Sequence, residues 1–136
     1  MDELKIDGRC LCGAFKFRIT GSLGDVRLCH CDICRRANGS AFSANSRVPA
    51  DCFEIVQQDA PITEFQSSPG AWKCFCSVCG SPVYSKVEHD PDHVRVRLGT
   101  LSREVHANIV AHVWVASKAE WEDITDDLPR FEQSAL

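Results

Sequence analysis

Cysteine spacing constrains this chain more than any other feature of its sequence. Thiolates separated by one or two residues converge on a single metal ion at the Zn–S distance of about 2.3 Å. Glycines follow two of the groups, where a tight turn needs a residue that accepts positive φ. Seven of the nine cysteines lie at such spacing: Cys10 and Cys12; Cys29, Cys31 and Cys34; Cys76 and Cys79. These groups predict metal sites.

Burial in the core, redox chemistry and disulfides account for these cysteines less well. Cysteines that are simply buried small hydrophobes do not collect at ligand spacing, and redox C-x-x-C pairs normally follow a βαβ pattern that this sequence lacks. Disulfides would leave one of nine cysteines unpaired. The segment Met1–Lys5 carries acids and resembles no secretory signal. The chain is therefore expected in the cytoplasm, where structural disulfides are disfavoured.

Size and charge narrow the class of protein. A length of 136 residues predicts one domain over residues 1–136. Hydrophobic residues make up 44% and charged residues 25%, which is typical of a globular chain. The net charge of -4 argues against nucleic acid as a partner, because that partner requires a cationic face. No apolar run approaches the roughly 18 residues of a membrane span, so no membrane partner is expected.

Strand periodicity dominates the pattern of apolar residues. Apolar and polar side chains alternate most clearly in Ala14–Thr20 and Val94–Leu98. Shorter candidate strands are Phe53–Val56, Ile62–Phe65, Pro82–Ser85 and Asn108–Val115. The predicted fold class is therefore mainly β, with small antiparallel sheets that metal helps to stabilise.

Helix signals are weak and short. Asp32 is expected to cap one turn running through Arg36, and Ser117 to cap another over Lys118–Trp121. The prediction is one or two short helical turns.

Seven ligands do not fill two tetrahedral sites, which need eight. Two pairs make one closed site, and the triplet makes a site with three protein ligands and an open fourth position, as in catalytic zinc sites. Counting thus favours a closed site at Cys10, Cys12, Cys76 and Cys79 and an open site at Cys29, Cys31 and Cys34. Spacing leaves another pairing open, in which Cys10 and Cys12 join two cysteines of the triplet.

Charge indicates what the open site would accept. A zinc ion with three thiolates carries a net charge of -1, so its acidity toward bound water is damped. A soft metal–thiolate centre suits another soft donor. A thiol or thiol adduct is therefore the expected fourth ligand.

For four other cysteines and histidines the sequence gives a weaker indication of a role. Cys52 precedes an apolar strand and is expected in the core, whereas Cys74 shares a strand face with Cys76 and is interpreted as a buried thiol, with ligand or redox roles as the alternative. His30 lies between two expected ligands, so a role behind the metal ligands or at the surface is expected. His112 is expected to be an ordinary strand histidine with a satisfied hydrogen bond.

Several motifs in fixed order resemble the glutathione-dependent formaldehyde-activating enzymes. Their order and spacing are far more specific than one C-x-x-C. They extend over nearly the whole chain: Gly8–Gly13, Cys29–Arg35, Phe75–Pro82, Gly99–Leu101, and Trp121 with Asp127–Pro129.

The resemblance implies a β-tent fold and two zinc ions per chain, one structural and one catalytic. It implies that Cys10, Cys12, Cys76 and Cys79 hold the structural ion, and that Cys29, Cys31 and Cys34 hold the catalytic one. The implied activity is of the carbon–sulfur lyase type, forming or cleaving an S-hydroxymethyl adduct between formaldehyde, or a related aldehyde, and glutathione or another small thiol. Candidate cations for the carboxylates of the thiol are Arg35, Arg36, Arg47 and Lys73.

Two further functions remain as hypotheses. One is a binding module that recognises a protein or a small thiol without catalysis, in which the fourth metal position is filled. The second is a nucleic-acid-binding zinc ribbon, which the acidic charge disfavours.

Overall fold

Ten strands and one α-helix occur in the computed structural model, which describes residues 4–134. The strands are β1 Lys5–Arg9, β2 Phe15–Thr20, β3 Val26–Cys29, β4 Ser43–Pro49, β5 Phe53–Gln58, β6 Ile62–Ser68, β7 Ala71–Cys76, β8 Pro82–Val87, β9 His93–Arg97 and β10 Ile109–Val113. The helix is α1 Asp32–Asn38, and 3₁₀ turns cover Ala50–Cys52, Leu98–Thr100 and Val115–Ser117. The mainly β prediction is confirmed.

The strands form two sheets. One has three strands in the order β1-β2-β5, and the other has seven in the order β10-β3-β4-β9-β8-β7-β6. Pairing is antiparallel except between β10 and β3, which run parallel. The expectation of antiparallel pairing is wrong at this edge, because β10 reaches the edge through a long connection instead of a hairpin.

Two of the helical predictions need correction. The helix cap is Cys31 rather than Asp32, since the Cys31 sulfur accepts a hydrogen bond from the backbone N–H of Cys34. Ser117 ends a 3₁₀ turn instead of starting one, because Ser117 and Lys118 donate backwards to Trp114 and Val115. No helical segment in residues 4–134 has the length and apolar character that a membrane span requires.

The seven-stranded sheet has one apolar and one polar face at its centre. Residues paired across strands point to the same face, and the fully buried Val26, Val48 and Val96 lie on the apolar one. The opposite face consists of Arg27, Cys29, Ser43, Asn45, Arg47, Arg95 and Arg97. Ser43 and Arg97 are buried as well, at 0% and 5% exposure. The polar face is therefore covered by protein along part of its length.

The apolar core lies between the sheets and reaches the cysteines. Phe15, Phe17 and Ile19 of β2 fill it from one side with almost no exposure. Cys10 and Cys76 belong to the same buried cluster. One cysteine group is thus built into the edge of the core.

Candidate functional site

Four cysteines converge where the end of β1 meets the end of β7. The sulfurs of Cys10, Cys12, Cys76 and Cys79 all lie within 4.8 Å of one another. Cys10 and Cys12 Sγ are 3.6 Å apart, and Cys12 and Cys76 Sγ are 3.8 Å apart. A tetrahedral ion with bonds of about 2.3 Å places its ligands roughly 3.8 Å apart. The donors and their spacing fit a four-thiolate metal site.

Glycines allow the two turns of this cluster. Gly13 and Gly80 have φ of 79° and 78°, a region that side chains with a Cβ rarely adopt. Their N–H groups donate to the carbonyl oxygens of Cys10 and Cys76, at 3.2 and 2.8 Å. Each turn therefore directs its second cysteine back toward its first.

Ser81 joins the two turns to each other. Its hydroxyl accepts a hydrogen bond from the Leu11 N–H at 2.8 Å and lies 3.2 Å from the Cys79 sulfur. That contact, with nearby backbone N–H groups, lowers the pKa of the Cys79 thiol to about 5. The turns thus support a thiolate at Cys79.

Three further cysteines converge where β3 leads into α1. The sulfurs of Cys29, Cys31 and Cys34 lie within 4.8 Å of one another, and those of Cys29 and Cys31 are 3.5 Å apart. Cys29 ends β3, Cys31 caps the helix, and Cys34 lies in its first turn. The alternative in which Cys10 and Cys12 join the triplet is not formed. The second cluster offers three sulfur donors to a metal ion.

In the triplet the pKa of one thiol is lowered and the pKa of another is raised. Hydrogen bonds from Cys29 and Cys34, with helix N–H groups, lower the pKa of the Cys31 thiol to about 2 against the effect of burial. The contact with Cys31, the contact with Cys34 and burial raise the pKa of Cys29 far above its usual range. A bound cation would relieve this competition among thiols, because a metal ion favours the thiolate of each.

A cavity of about 580 Å³ lies beside the triplet over the polar face of the sheet. Cys29 and Cys34 line it, together with the cations Arg27, Arg47, Lys73, Lys86 and Arg95, the carboxylates Asp25 and Asp90, and Asn45, Ser85, Trp72 and Trp114. A second cavity of about 500 Å³ lies against β1 and β2 but holds neither cysteine cluster. The cavity at the triplet is therefore the candidate site, even though the second one is of similar size.

Comparison with known proteins agrees with these clusters. The sequence model of the glutathione-dependent formaldehyde-activating enzymes matches residues 5–117. The chain belongs to this family. The match includes all seven grouped cysteines.

Two individual proteins are also similar to this chain. An uncharacterized lyase of Schizosaccharomyces pombe is 30% identical over 78 residues, which is 57% of this chain and 55% of that protein. The matched part thus spans about half the length of that relative. A crystal structure of a Rhodobacter sphaeroides protein shares the fold, with a TM-score of 0.60 and 23% identity over 74% of this chain and 90% of that one.

The cations proposed from sequence differ in their surroundings in this family member. Lys73 donates to the Cys34 sulfur at 3.8 Å and lines the cavity. Arg47 also lines it but forms a two-bond ion pair with Asp90, at 2.7 and 2.9 Å. Arg35 pairs with Asp32 in the first turn of α1, and neither Arg35 nor Arg36 lines the cavity.

Arg27 is a cavity cation that the sequence did not indicate. It is half-buried, its Nε has no hydrogen-bond partner, and it forms no ion pair with a carboxylate of residues 4–134. An unpaired guanidinium in a cavity favours an anionic ligand. Arg27 is therefore the candidate partner for a carboxylate.

A chain of hydrogen bonds lies behind the triplet. His30 is fully buried, and its Nε2 lies 2.9 Å from His112 Nδ1, while His112 Nε2 lies 2.9 Å from a carboxylate oxygen of Asp126. If His112 donates to Asp126, its Nδ1 accepts a hydrogen bond from His30. The expectation of a satisfied His112 is confirmed, and His30 lies behind the ligands rather than at the surface.

The remaining two cysteines lie outside both clusters. Cys74 is buried at 1% exposure, and burial raises its pKa to about 11. Cys52 is half-buried and packs against the apolar core. The interpretation of Cys74 as a buried thiol agrees with this position.

Trp114 is the one non-glycine residue in residues 4–134 with positive φ, and it lines the cavity. Its φ of 58° and ψ of 36° are left-handed. An L-residue costs about 1–2 kcal/mol in this conformation. Hydrogen bonds of the Trp114 and Val115 N–H groups to Gln133 and Phe131 hold it there.

Trp114→Gly is expected to be more stable than Trp114→Ala by about 1 kcal/mol, because both lose the indole and only glycine accepts the backbone without strain. Urea unfolding measures the difference. At Ala116, whose φ is not positive, the wild-type alanine should be more stable than Ala116→Gly. Equal stability of the two Trp114 variants would contradict the left-handed backbone.

Proposed function

We propose that the chain is a zinc-dependent enzyme of the carbon–sulfur lyase type that forms and cleaves the adduct between formaldehyde and a small anionic thiol such as glutathione. Family membership supports the reaction class. The observation that carries the proposal is the three-cysteine cluster beside a cavity whose lining has five cations and two carboxylates.

The two clusters differ in the number of donors they offer. The first offers four sulfurs, the number that a closed tetrahedral site requires, so a zinc ion there would be structural. Cys29, Cys31 and Cys34 offer three donors and would hold a zinc ion with one position left for a ligand from the cavity. The chemistry that zinc would supply there is that of a Lewis acid for a thiolate.

The reaction adds the thiol across the carbonyl of the aldehyde. The sulfur forms a bond to carbon, the C=O π bond breaks, and the proton released by the thiol ends on the new hydroxyl oxygen. The reverse reaction breaks the C–S bond and returns that proton. Atoms and electrons balance without an oxidant or a reductant.

Residues of the cavity provide recognition and orientation. Arg27 can take a carboxylate of the thiol because it has no carboxylate partner in the described chain. Lys73 lies at the Cys34 sulfur, where its positive charge favours an anion near the metal position. A carboxylate held at Arg27 would limit the freedom of the thiol and bring its sulfur to the triplet.

Exchange spectroscopy tests the activity directly. Zinc-loaded protein, with an expected content of two zinc ions per chain, is added to ¹³C-formaldehyde and glutathione at equilibrium. The interconversion of free and adduct carbon should be faster than in buffer or with metal-free protein. No acceleration with both metal sites filled would favour the binding-module alternative.

Arg27→Met is expected to raise the KM for glutathione about 10–100-fold with little change in kcat, because a charged hydrogen bond is worth about 1.5–3 kcal/mol. The same exchange measurement gives both constants. Arg36→Met removes an exposed arginine outside the cavity and should leave the KM unchanged. Cysteamine has no carboxylate, so its KM should not respond to Arg27→Met. An unchanged KM for glutathione would contradict the role of Arg27.

A further inference from the structure

Arg97 is a buried cation without a carboxylate partner. It is 5% exposed, and no carboxylate in residues 4–134 lies within 4.0 Å of its guanidinium. Its Nη1 donates only to neutral oxygens: Asn45 Oδ1 at 2.6 Å, Ser85 Oγ at 3.2 Å and the Arg95 carbonyl at 3.3 Å. Its Nε has no partner. A guanidinium stays charged in proteins, so this position requires a negative charge nearby.

The three-thiol cluster begins on the same face of the sheet as Arg97 and would carry negative charge when it holds a metal ion. Asn45 and Ser85, which hold Arg97, line the cavity together with Cys29 and Cys34. Asn45 pairs with Arg97 across β4 and β9. Burial lowers the pKa of Arg97, so a negative charge on this face of the sheet would stabilise its charged form.

Two polar contacts connect Arg97 to Ser43 on β4, the strand that pairs with the one carrying Cys29. Ser43 Oγ donates to Asn45 Oδ1 at 2.8 Å, so one amide oxygen receives both Ser43 and Arg97. Ser43 pairs with Cys29 across β4 and β3. The guanidinium is thus held on the same sheet face as Cys29, against two residues that line the cavity.

Charge counting indicates what Arg97 balances. Three thiolates and a divalent ion carry a net charge of -1, and one guanidinium makes the group neutral. Lys73 is a second cation near the cluster and contacts the Cys34 sulfur, but it is only half-buried, so water and salt screen its charge more than that of Arg97.

We propose that Arg97 is the internal counter-cation of the metal–thiolate group at Cys29, Cys31 and Cys34, a positioning residue that stabilises the metal-loaded cluster. The inference rests on the proposed function in one respect, since it takes the triplet as a metal site. It adds that the polar face of the sheet is built to hold an anionic centre.

Metal titration tests this inference without an activity measurement. Arg97→Met should weaken binding of the second zinc equivalent, at the triplet, by about 10–100-fold, as expected for a group behind the ligands. Binding of the first equivalent, at the four-cysteine cluster, should not change. Competition with a chromophoric chelator gives both affinities, and thiolate-to-cobalt absorption bands after Co²⁺ substitution confirm which cluster is filled.

Two matched variants separate charge from packing. Arg97→Lys keeps the charge and should remain within about threefold of the wild-type affinity. Arg95→Met removes a cation from the same strand face, but one that lies 3.6 Å from Asp90, and should leave the zinc affinity of the triplet within about threefold of wild type. Wild-type affinity in Arg97→Met, or equal losses in Arg97→Lys and Arg97→Met, would overturn the inference.

A thermodynamic cycle covers the case in which Arg97→Met folds poorly. The substitution should destabilise zinc-loaded wild-type protein more than it destabilises a Cys31→Ser background, where the anionic centre is absent. Equal destabilisation in both backgrounds would assign Arg97 a purely structural role. A wild-type protein that never binds a second zinc would refute the proposed function, whereas a second zinc that is insensitive to Arg97 would refute this inference alone.

Discussion

Replacing Cys10 or Cys79 by serine is expected to unfold most of the chain at neutral pH. Structural zinc contributes about 10–16 kcal/mol in small domains, which matches or exceeds the net stability of about 5–15 kcal/mol of a typical protein. Cys10 also lies in the apolar core at 1% exposure, so the change leaves a polar hydroxyl there. Far-UV circular dichroism and urea unfolding of zinc-supplemented protein measure the loss.

Cys52→Ser is the matched control, because Cys52 packs against the same core but belongs to neither cluster. It should cost about 1 kcal/mol and keep a cooperative transition. Chelation of zinc from the wild-type protein should reproduce the effect of Cys79→Ser. A Cys79→Ser protein with native circular dichroism and cooperative unfolding would refute a structural role for the four-cysteine cluster.

Cys31→Ser is expected to give a folded protein that has lost the triplet metal and the exchange activity. Serine is a favoured helix cap, so the start of α1 should survive the substitution of its capping sulfur. Loss of a Lewis acid removes several kcal/mol of transition-state stabilisation, which predicts a decrease in rate of about 100-fold or more. Zinc content should fall from two ions per chain to one.

Asp32→Asn is the control for this variant, since it changes the exposed neighbour of Cys31 and no sulfur donor. It should keep both ions and the activity. If Cys31→Ser unfolds as completely as Cys79→Ser, both clusters are structural or their roles are reversed.

Cysteine spacing predicted the two clusters because the ligands within each pair, and within the triplet, are close in sequence. Each turn brings its own sulfurs together, and counting then favoured the partition that the structure forms. The strands with apolar alternation, such as β2 and β9, were predicted for a similar reason. Their alternation of apolar and polar residues can be read from the strand itself, because every second side chain points to the core.

The polar face of the large sheet explains what sequence reasoning missed. A typical half-buried strand alternates apolar and charged residues. β4 has Ser43, Asn45 and Arg47 on one face and mostly small residues between them, so its apolar–polar alternation is weak. β3 has only four residues. Both strands direct polar side chains into a cavity that exists only after several strands are assembled. A single stretch of sequence does not contain that information.

Arg27 and Arg97 were missed for the same reason. Selection by closeness in sequence to the cysteines found Arg47 and Lys73, which line the cavity, but also favoured Arg35 and Arg36, which do not. Arg27 and Arg97 reach the site by strand pairing across β3, β4 and β9. The alternation of Arg97 with Val94 and Val96 is equally typical of a solvent-facing arginine, because alternation alone cannot distinguish solvent from a covered polar face.

The four-cysteine cluster joins parts of the chain that are far apart in sequence: Cys12 and Cys76, whose sulfurs lie 3.8 Å apart, are separated by 64 positions. A metal ion there acts as a reversible cross-link. A covalent link closing a loop of this length lowers the conformational entropy of the unfolded chain and so raises its free energy by about 4 kcal/mol. A metal link has a similar effect only when zinc is bound. Folding speed, and the time the unfolded chain spends exposed to proteases, should therefore depend on the concentration of free zinc.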